Sequence, residues 1–253
     1  MAFDEQQAID AFWAARARGE YFPKDWFDRL TLDQAYRIQL GMIARRIAAG
    51  ERQIGWKVGL TAPAIQQQFG FHEPVFGCIL DSTPSGHVFR RDELIRPGFE
   101  SELCLRVRET LRGEVDAAVV RRAIDAVYPA LEIIETRGDF TAQIALAMAD
   151  NAQQKTVVLG QPVPLGDRAL ESIEATVRIN GNAVATGRGD AVLGNPLNSV
   201  IWLTRKLQEF GRSIQPGEII MSGSFTRQFP IEPGDRVEVE FAGVGQVAIG
   251  MLG

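Results

Sequence analysis

The stretch from Ile95 to Glu135 constrains the fold more than any other part of the chain. It reads IRPGFESELCLRV, then a helix-like segment, then VYPALEIIETR. Glu100 and Glu102 stand two apart in a strand-like run, so both carboxylates project from one face. Glu132 sits inside the apolar run Ala130-Leu131-Glu132-Ile133-Ile134. Carboxylates in such surroundings are costly unless a positive charge neutralises them. An oxygen-preferring divalent cation, Mg²⁺ or Mn²⁺, does so. Glu100, Glu102 and Glu132 therefore point to the metal site of an enzyme. The competing reading pairs Glu100 or Glu102 with Arg96 or Arg106 at a sheet rim. Glu135, offset by three from Glu132, points to the other face of a strand and is solvated or salt-bridged.

Composition narrows the class. At 253 residues, 45% hydrophobic and 23% charged, the chain is an ordinary globular protein of one large domain with room for a helical attachment. A net charge of −5 argues against nucleic acid or anionic membrane as the main partner. No apolar run approaches the roughly 20 residues that span a bilayer. The acidic N-terminal stretch has no apolar signal core, so the expected location is cytoplasmic. Cys78 and Cys104 lack a CxxC spacing and read as two buried thiols, with a disulfide or reactive thiol as the alternative. His72 and His87 are too few for a His-rich zinc site.

Taken in order, residues 4–18 carry Ile9, Phe12, Trp13 and Ala17 at helical spacing. Thr31 to Gln34 reads as a capping box opening a second helix, with Ala35, Ile38, Met42, Ile43 and Ile47 on its apolar stripe and Gly50 as its stop. These helices, residues 1–52, are expected to form a structural N-terminal cap on a catalytic domain of residues 53–253. Lys57 lies in a short strand, Ile54 to Thr61, either at a sheet edge with its head in water or desolvated and facing a pocket. A short helix and loop follow over 63–77, with Phe69–Phe76 as a possible cover.

A helix over 113–127 leads into a strand over 130–135. Thr156–Leu159 is a further strand. Asn180-Gly181 is the strongest hairpin signal, between strands 173–179 and one ending near Thr186. Asn195-Pro196 starts a helix that Gly211 ends. Three strands, 218–222, 236–241 and 246–251, close the chain. Helices first, then many short strands, indicate an α+β fold with a mixed, curled sheet rather than a doubly wound one.

The ordered set GWKVGLT, RPGFESELCLRV, YPALEIIETR, MADNA, TGRGDAVLGNPLNSVIWL and IIMSGSFTR resembles the 2-keto-4-pentenoate hydratase and 4-oxalocrotonate decarboxylase family of the fumarylacetoacetate hydrolase superfamily, from about Leu30 to the C-terminus. The resemblance implies a barrel-like β-roll with the metal at its mouth, held by Glu100, Glu102 and Glu132. It implies a divalent-metal-dependent hydro-lyase that adds water to a 2-hydroxy-dienoate or 2-oxo-enoate in aromatic catabolism. Two alternatives stand beside it: a 2-oxo acid decarboxylase of the 4-oxalocrotonate type, and a non-catalytic partner subunit of a hydratase–decarboxylase complex. Homo-oligomerisation, and association with a pathway enzyme, are implied as well.

Lys57 matches the family lysine expected to contact the substrate and assist proton transfer, and Leu60 stands in the same motif. Asp150, with Asn151, matches the A-D-N-A segment as a catalytic candidate, the alternative being an Asx turn or helix cap. Ser222, Ser224 and Thr226 are placed to bind a carboxylate. Arg227 takes a second, distal carboxylate or stands solvated. One departure is plain: the family's hydratases carry Asp in the P-D-F/Y-G segment, and here Pro74-Val75-Phe76-Gly77 has Val75 in its place. A carboxylate is the obvious base for hydration, so Val75 pulls toward decarboxylation, while SGSFTR pulls toward hydration of a dicarboxylic dienoate.

Overall fold

The computed structural model describes residues 3–68 and 72–253. In chain order its elements are α1 (Glu5–Ala17), α2 (Leu32–Ala48), β1 (Gly55–Gly59), α3 (Pro63–Gln68), β2 (Val75–Ile79), β3 (Ser82–Pro84), β4 (His87–Arg90) and β5 (Pro97–Val107). Then come α4 (Ala117–Ala123), β6 (Ile124–Glu135), α5 (Ile144–Ala149), β7 (Gln154–Leu159), β8 (Val163–Pro164), β9 (Glu174–Ile179) and β10 (Asn182–Arg188). The last are α6 (Pro196–Glu209), β11 (Ile219–Ser224), β12 (Phe229–Pro230), β13 (Arg236–Phe241) and β14 (Gly245–Leu252).

Among the described residues these strands form a nine-stranded sheet, ordered β2-β1-β11-β5-β6-β7-β3 with β12 beside β5 and β8 beside β6, and a five-stranded sheet, β10-β9-β13-β14-β4. Parallel pairs (β1 with β11, β3 with β7, β14 with β4) mix with antiparallel ones. The curled, mixed α+β architecture read from the sequence is the one that forms. No helix among the described residues is long and apolar enough to cross a membrane.

The large sheet has two differently furnished faces. Trp56, Val58, Phe76, Phe99, Leu103, Leu105, Leu131 and Ile133 join the helices in the main core. The opposite face carries Ile79, Cys104, Ala130, Val157, Ile219 and Met221 as a smaller buried cluster. The cross-strand register places Lys57, Glu100, Glu102 and Glu132 on this second face. Cys78 and Cys104 are buried free thiols, as expected, and burial pushes both well above the usual thiol range.

Local signals explain most helix ends. Thr31 and Gln34 complete the expected capping box, and Asn195 caps α6 ahead of Pro196. Asn180 and Gly181 both have positive φ, 53° and 81°, as the two-residue hairpin turn demands. The expected helix over 113–127 is corrected to the seven residues of α4, capped by Asp116. The residues after it, from Ile124, pair with β5 instead, with Val127 opposite Leu105 and Tyr128 opposite Cys104. Long-range pairing thus overrides local helical preference there.

The N-terminal helices dock through aromatic and amide contacts. Tyr36 of α2 stacks on Phe76 of β2 with centroids 4.2 Å apart. Gln39, fully buried, donates to the carbonyls of Phe76 (3.2 Å) and Met148 (2.7 Å), tying β2 to α5. At the other side of the sheet, β11 bulges between Met221 and Ser224. There Gly223, at φ 114°, turns its N–H onto Glu102 Oε2 at 2.7 Å. A Cβ on Gly223 would lie 2.5 Å from the Thr61 side chain.

Two outcomes follow from these contacts. Gln39→Leu removes the amide donor from two buried carbonyls and is expected to lower stability by about 1–3 kcal/mol, read as a lower urea midpoint at unchanged slope. Gly223→Ala combines a left-handed backbone with a clash and is expected to cost about 1–3 kcal/mol. An unaltered unfolding midpoint in that variant would show that the bulge is soft.

Candidate active site

The cluster is built by pairing register. Glu100 of β5 lies directly opposite Glu132 of β6 in the antiparallel ladder, and Glu102 stands two residues further on the same face. One carboxylate oxygen from each lies within 4.8 Å of the others. Glu102 and Glu132 are fully buried. Glu102 Oε1 and both oxygens of Glu132 have no hydrogen-bond partner.

Lys57 is 5% exposed and is no edge residue, since β1 lies between β2 and β11; the solvent-facing reading of this lysine is overturned. Its Nζ lies 3.3 Å from Glu132 Oε1, an ion-pair distance without hydrogen-bond alignment. Two glycines make room for it. A Cβ on Gly77 would sit 3.2 Å from Lys57 Cε, and one on Gly59 would sit 3.3 Å from Nζ. Arg106, the proposed rival partner of the glutamates, pairs with Asp125 at 2.9 Å.

Electrostatics show what the cluster lacks. Burial pushes Glu100 up to about 7, helped by Glu132 and opposed by Lys57. Burial, with Glu132 and Glu100, holds Glu102 well above the usual range, against the Gly223 amide and Lys57. Glu132 is raised by burial despite Lys57. For Lys57 itself burial opposes the charge, but Glu132, Glu100 and Glu102 outweigh it and raise its pKa. With an effective dielectric of about 20, two ionised carboxylates at the 4.8 Å limit repel by roughly 3.5 kcal/mol. Lys57 at 3.3 Å returns roughly 5 kcal/mol from Glu132, and Glu100 and Glu102 attract it as well, but its single positive charge leaves the ionised cluster with a net charge of −2. One lysine does not balance three carboxylates. Their orphaned oxygens fit a hard divalent cation, which takes carboxylate oxygens and charge together.

Above the cluster is a cavity of about 370 Å³. Its wall includes Lys57, Leu60, Val75, Glu100, Ser224, Thr226 and Arg227 from the sequence-derived set and motifs. Leu60 adopts φ 53°, and its carbonyl accepts from Gln66 Nε2 at 2.7 Å. Thr226 Oγ1 lies 2.9 Å from Ser101 Oγ. Arg227 stacks over Phe229 at 3.9 Å, so it is packed as well as exposed. Val75 and Phe76 are buried in β2 and are part of the sheet, not of a cover; Phe69, Gly70 and Phe71 lie outside the described residues. His72 is exposed and is not on the cavity wall.

Four members of the set do not line this cavity: Glu102 and Glu132 are buried within the carboxylate cluster, and Ser222 and Asp150 make contacts elsewhere. Ser222 is fully buried; its carbonyl accepts from Ser199 Oγ, and its own hydroxyl lacks a partner. Asp150 follows the last turn of α5, and its carboxylate faces Arg137 at 2.5 Å and Arg16 at 3.5 Å. Glu135 is buried and salt-bridged to Arg137 at 2.8 Å, which decides between its two readings.

Sequence reasoning did not single out the rest of the lining, which includes Ile134, Thr136, Phe140, Thr141, Ala152 and Gln153. These residues carry no motif chemistry of their own. The available signal was Arg137, a cation two residues from Glu135 at the end of an apolar strand.

Comparison with known proteins agrees with this geometry. The C-terminal fumarylacetoacetate (FAA) hydrolase family profile matches residues 68–250. A 2-keto-4-pentenoate hydratase of Paraburkholderia xenovorans (strain LB400) is 36% identical over 250 residues, covering 96% of this chain and 93% of the relative. A 4-oxalocrotonate decarboxylase of Pseudomonas sp. (strain CF600) is 34% identical over 224 residues, covering 87% and 85%. The structure of 4-oxalocrotonate decarboxylase from Pseudomonas putida G7, complexed with magnesium and adipate, superposes with a TM-score of 0.93 at 30% identity and 99% coverage of both chains. The chain therefore belongs to the 2-keto-4-pentenoate hydratase and 4-oxalocrotonate decarboxylase family of the fumarylacetoacetate hydrolase superfamily.

Proposed function

We propose that this chain is a divalent-metal-dependent lyase of small 2-oxo or 2-hydroxy-dienoic acids from aromatic catabolism, adding water to the conjugated system. The observation that carries the reading is the buried triad Glu100, Glu102 and Glu132, with orphaned oxygens, beside Lys57 at the base of a cavity. Those three residues would hold Mg²⁺ or Mn²⁺, and the magnesium of the structurally similar decarboxylase supports that choice. When bound, such an ion supplies Lewis acidity to a 2-oxo carboxylate and stabilises charge on its oxygen.

The chain's own residues do the rest. The Lys57 ammonium, held in place over Gly59 and Gly77, binds the oxo end of the substrate and moves a proton there. Ser224 and Thr226 offer hydroxyls along the wall, and Leu60 supplies apolar contact. Arg227, fixed against Phe229, binds a second carboxylate at the far end by a two-pronged contact. The adipate in the related decarboxylase, a dicarboxylate, supports that assignment. The expected assembly is a homo-oligomer in the cytoplasm, in association with a pathway partner enzyme, on the strength of the family resemblance and the buried free thiols.

One observation favours a second reading. Val75 lines the cavity where the family's hydratases carry Asp, which leaves Lys57, Glu100 and Arg227 as the titratable side chains of the wall among the described residues. Decarboxylation needs an electron sink and a dry pocket rather than a base for water.

With Mg²⁺ and a 2-oxo-hexenedioate, the expected product is heavier by one water; a product lighter by CO₂ would move the assignment to decarboxylase. Glu132→Ala is expected to lose Mn²⁺ binding and turnover together, and unchanged activity would remove the metal assignment. Lys57→Met is expected to keep Mn²⁺ affinity while kcat falls by about 100-fold or more.

A further inference from the structure

The unexplained wall of the cavity has an unusual backbone. Asn151, Ala152 and Gln153 are three consecutive non-glycine residues at positive φ (56°, 50° and 60°). Each left-handed residue costs about 1–2 kcal/mol, less for Asn, so the segment persists only because its surroundings hold it. Ala152 and Gln153 line the cavity. The Asn151 amide bonds both the N–H (2.7 Å) and the carbonyl (2.8 Å) of Cys78, fastening the segment to β2.

One guanidinium spans the segment's two ends. Arg137, with a side chain 3% exposed, donates to the carbonyl of Asp150 at 3.0 Å and to that of Gln154 at 3.4 Å. It also bonds the Asp150 carboxylate at 2.5 Å and that of Glu135 at 2.8 Å. Gln153 Nε2 in turn donates to Gly138 O at 3.1 Å, and Phe22 packs where a Gly138 Cβ would be. We infer that Arg137, with Asp150, is a positioning residue that staples residues 151–153 into the cavity wall and so sets how tightly the substrate is held. This role rests on the proposed function for its substrate and on the backbone geometry for its mechanism.

The charged groups around Asp150 are Arg137 and Glu135 at the end of β6, Arg16 of α1 at 3.5 Å and Lys155 of β7, which reaches Glu135 at 3.9 Å. The Tyr21 ring lies 5.2 Å from both Arg16 and Arg137. Burial pushes the Asp150 carboxyl up to about 6, with Arg137 and Arg16 pulling the other way. Below that pH the carboxylate protonates and loses its ion pair with Arg137, so substrate binding weakens on the acid side.

The test compares the full-length wild type with Arg137→Lys and Asp150→Asn. It reads steady-state kinetics against pH, Mn²⁺ affinity, and amide hydrogen exchange of peptides covering 150–155. Arg137→Lys keeps the charge but not the fork, and is expected to raise KM tenfold or more with kcat within threefold. Mn²⁺ affinity stays within twofold, and exchange at 150–155 speeds up tenfold or more. Asp150→Asn is expected to lose the KM limb near pH 6; it carries the test if Arg137→Lys does not fold. Unchanged KM and exchange in a folded variant, or an Asp150→Asn enzyme that keeps the limb, would overturn the inference. A wild type that binds Mn²⁺ but transforms no 2-oxo acid would instead overturn the functional reading, and the exchange measurement would then decide the staple by itself.

Discussion

The repulsion among three buried carboxylates is the constraint on which the rest of this structure depends. Glu100 and Glu132 face each other across the central strand pair of the large sheet, and Glu102 follows on the same face. Nothing local favours this; the β5–β6 ladder is long enough to enforce it against charge. Lys57 supplies one positive charge against three carboxylates, so it reduces the excess of negative charge but does not close it. A divalent cation held there, as proposed, would close it, turning a cluster that opposes folding of the bare protein into a binding site.

Around the cluster the fold uses glycine where a side chain would obstruct it. Gly59 and Gly77 leave a trough for Lys57, so a long flexible side chain is confined to one path across the sheet. Gly223 permits the bulge that delivers a backbone N–H to Glu102. Along the segment 151–153 strain is held without glycine: Asn151, Ala152 and Gln153 keep left-handed backbones between the Asn151–Cys78 bonds and the Arg137 fork. Rigid placement of first contacts by such supports is what substrate positioning requires.

The cavity is consequently asymmetric. One part, from β1, β5 and the stretch 224–228, carries the groups proposed to act on a 2-oxo acid. The other is contributed by the segments after β6 and α5 and is anchored to the N-terminal part of the chain. Asp28 and Gln143 exchange hydrogen bonds there, at 3.0 and 3.1 Å, and Phe22 covers Gly138. The N-terminal residues thereby reach the cavity through packing, although none of the described ones lines it.

By itself the sequence determined the elements with strong local signals: the Thr31 capping box, the Asn180-Gly181 hairpin, the Asn195-Pro196 helix start. It also determined the identity of the carboxylates, because a charged residue in an apolar strand is conspicuous whatever the register. Only the tertiary structure decided that β6 begins at Ile124, since that depends on β5 as partner. The same holds for Lys57 being interior, which follows from the parallel pairing of β1 with β11. The contacts of Asp150 were decided in the same way: its motif is local, but the Arg137 and Arg16 that pair with its carboxylate come from elsewhere in the chain. Local backbone preference and side-chain type are written along the chain, whereas which charges meet, and which are left without a partner, is settled only when distant strands pair.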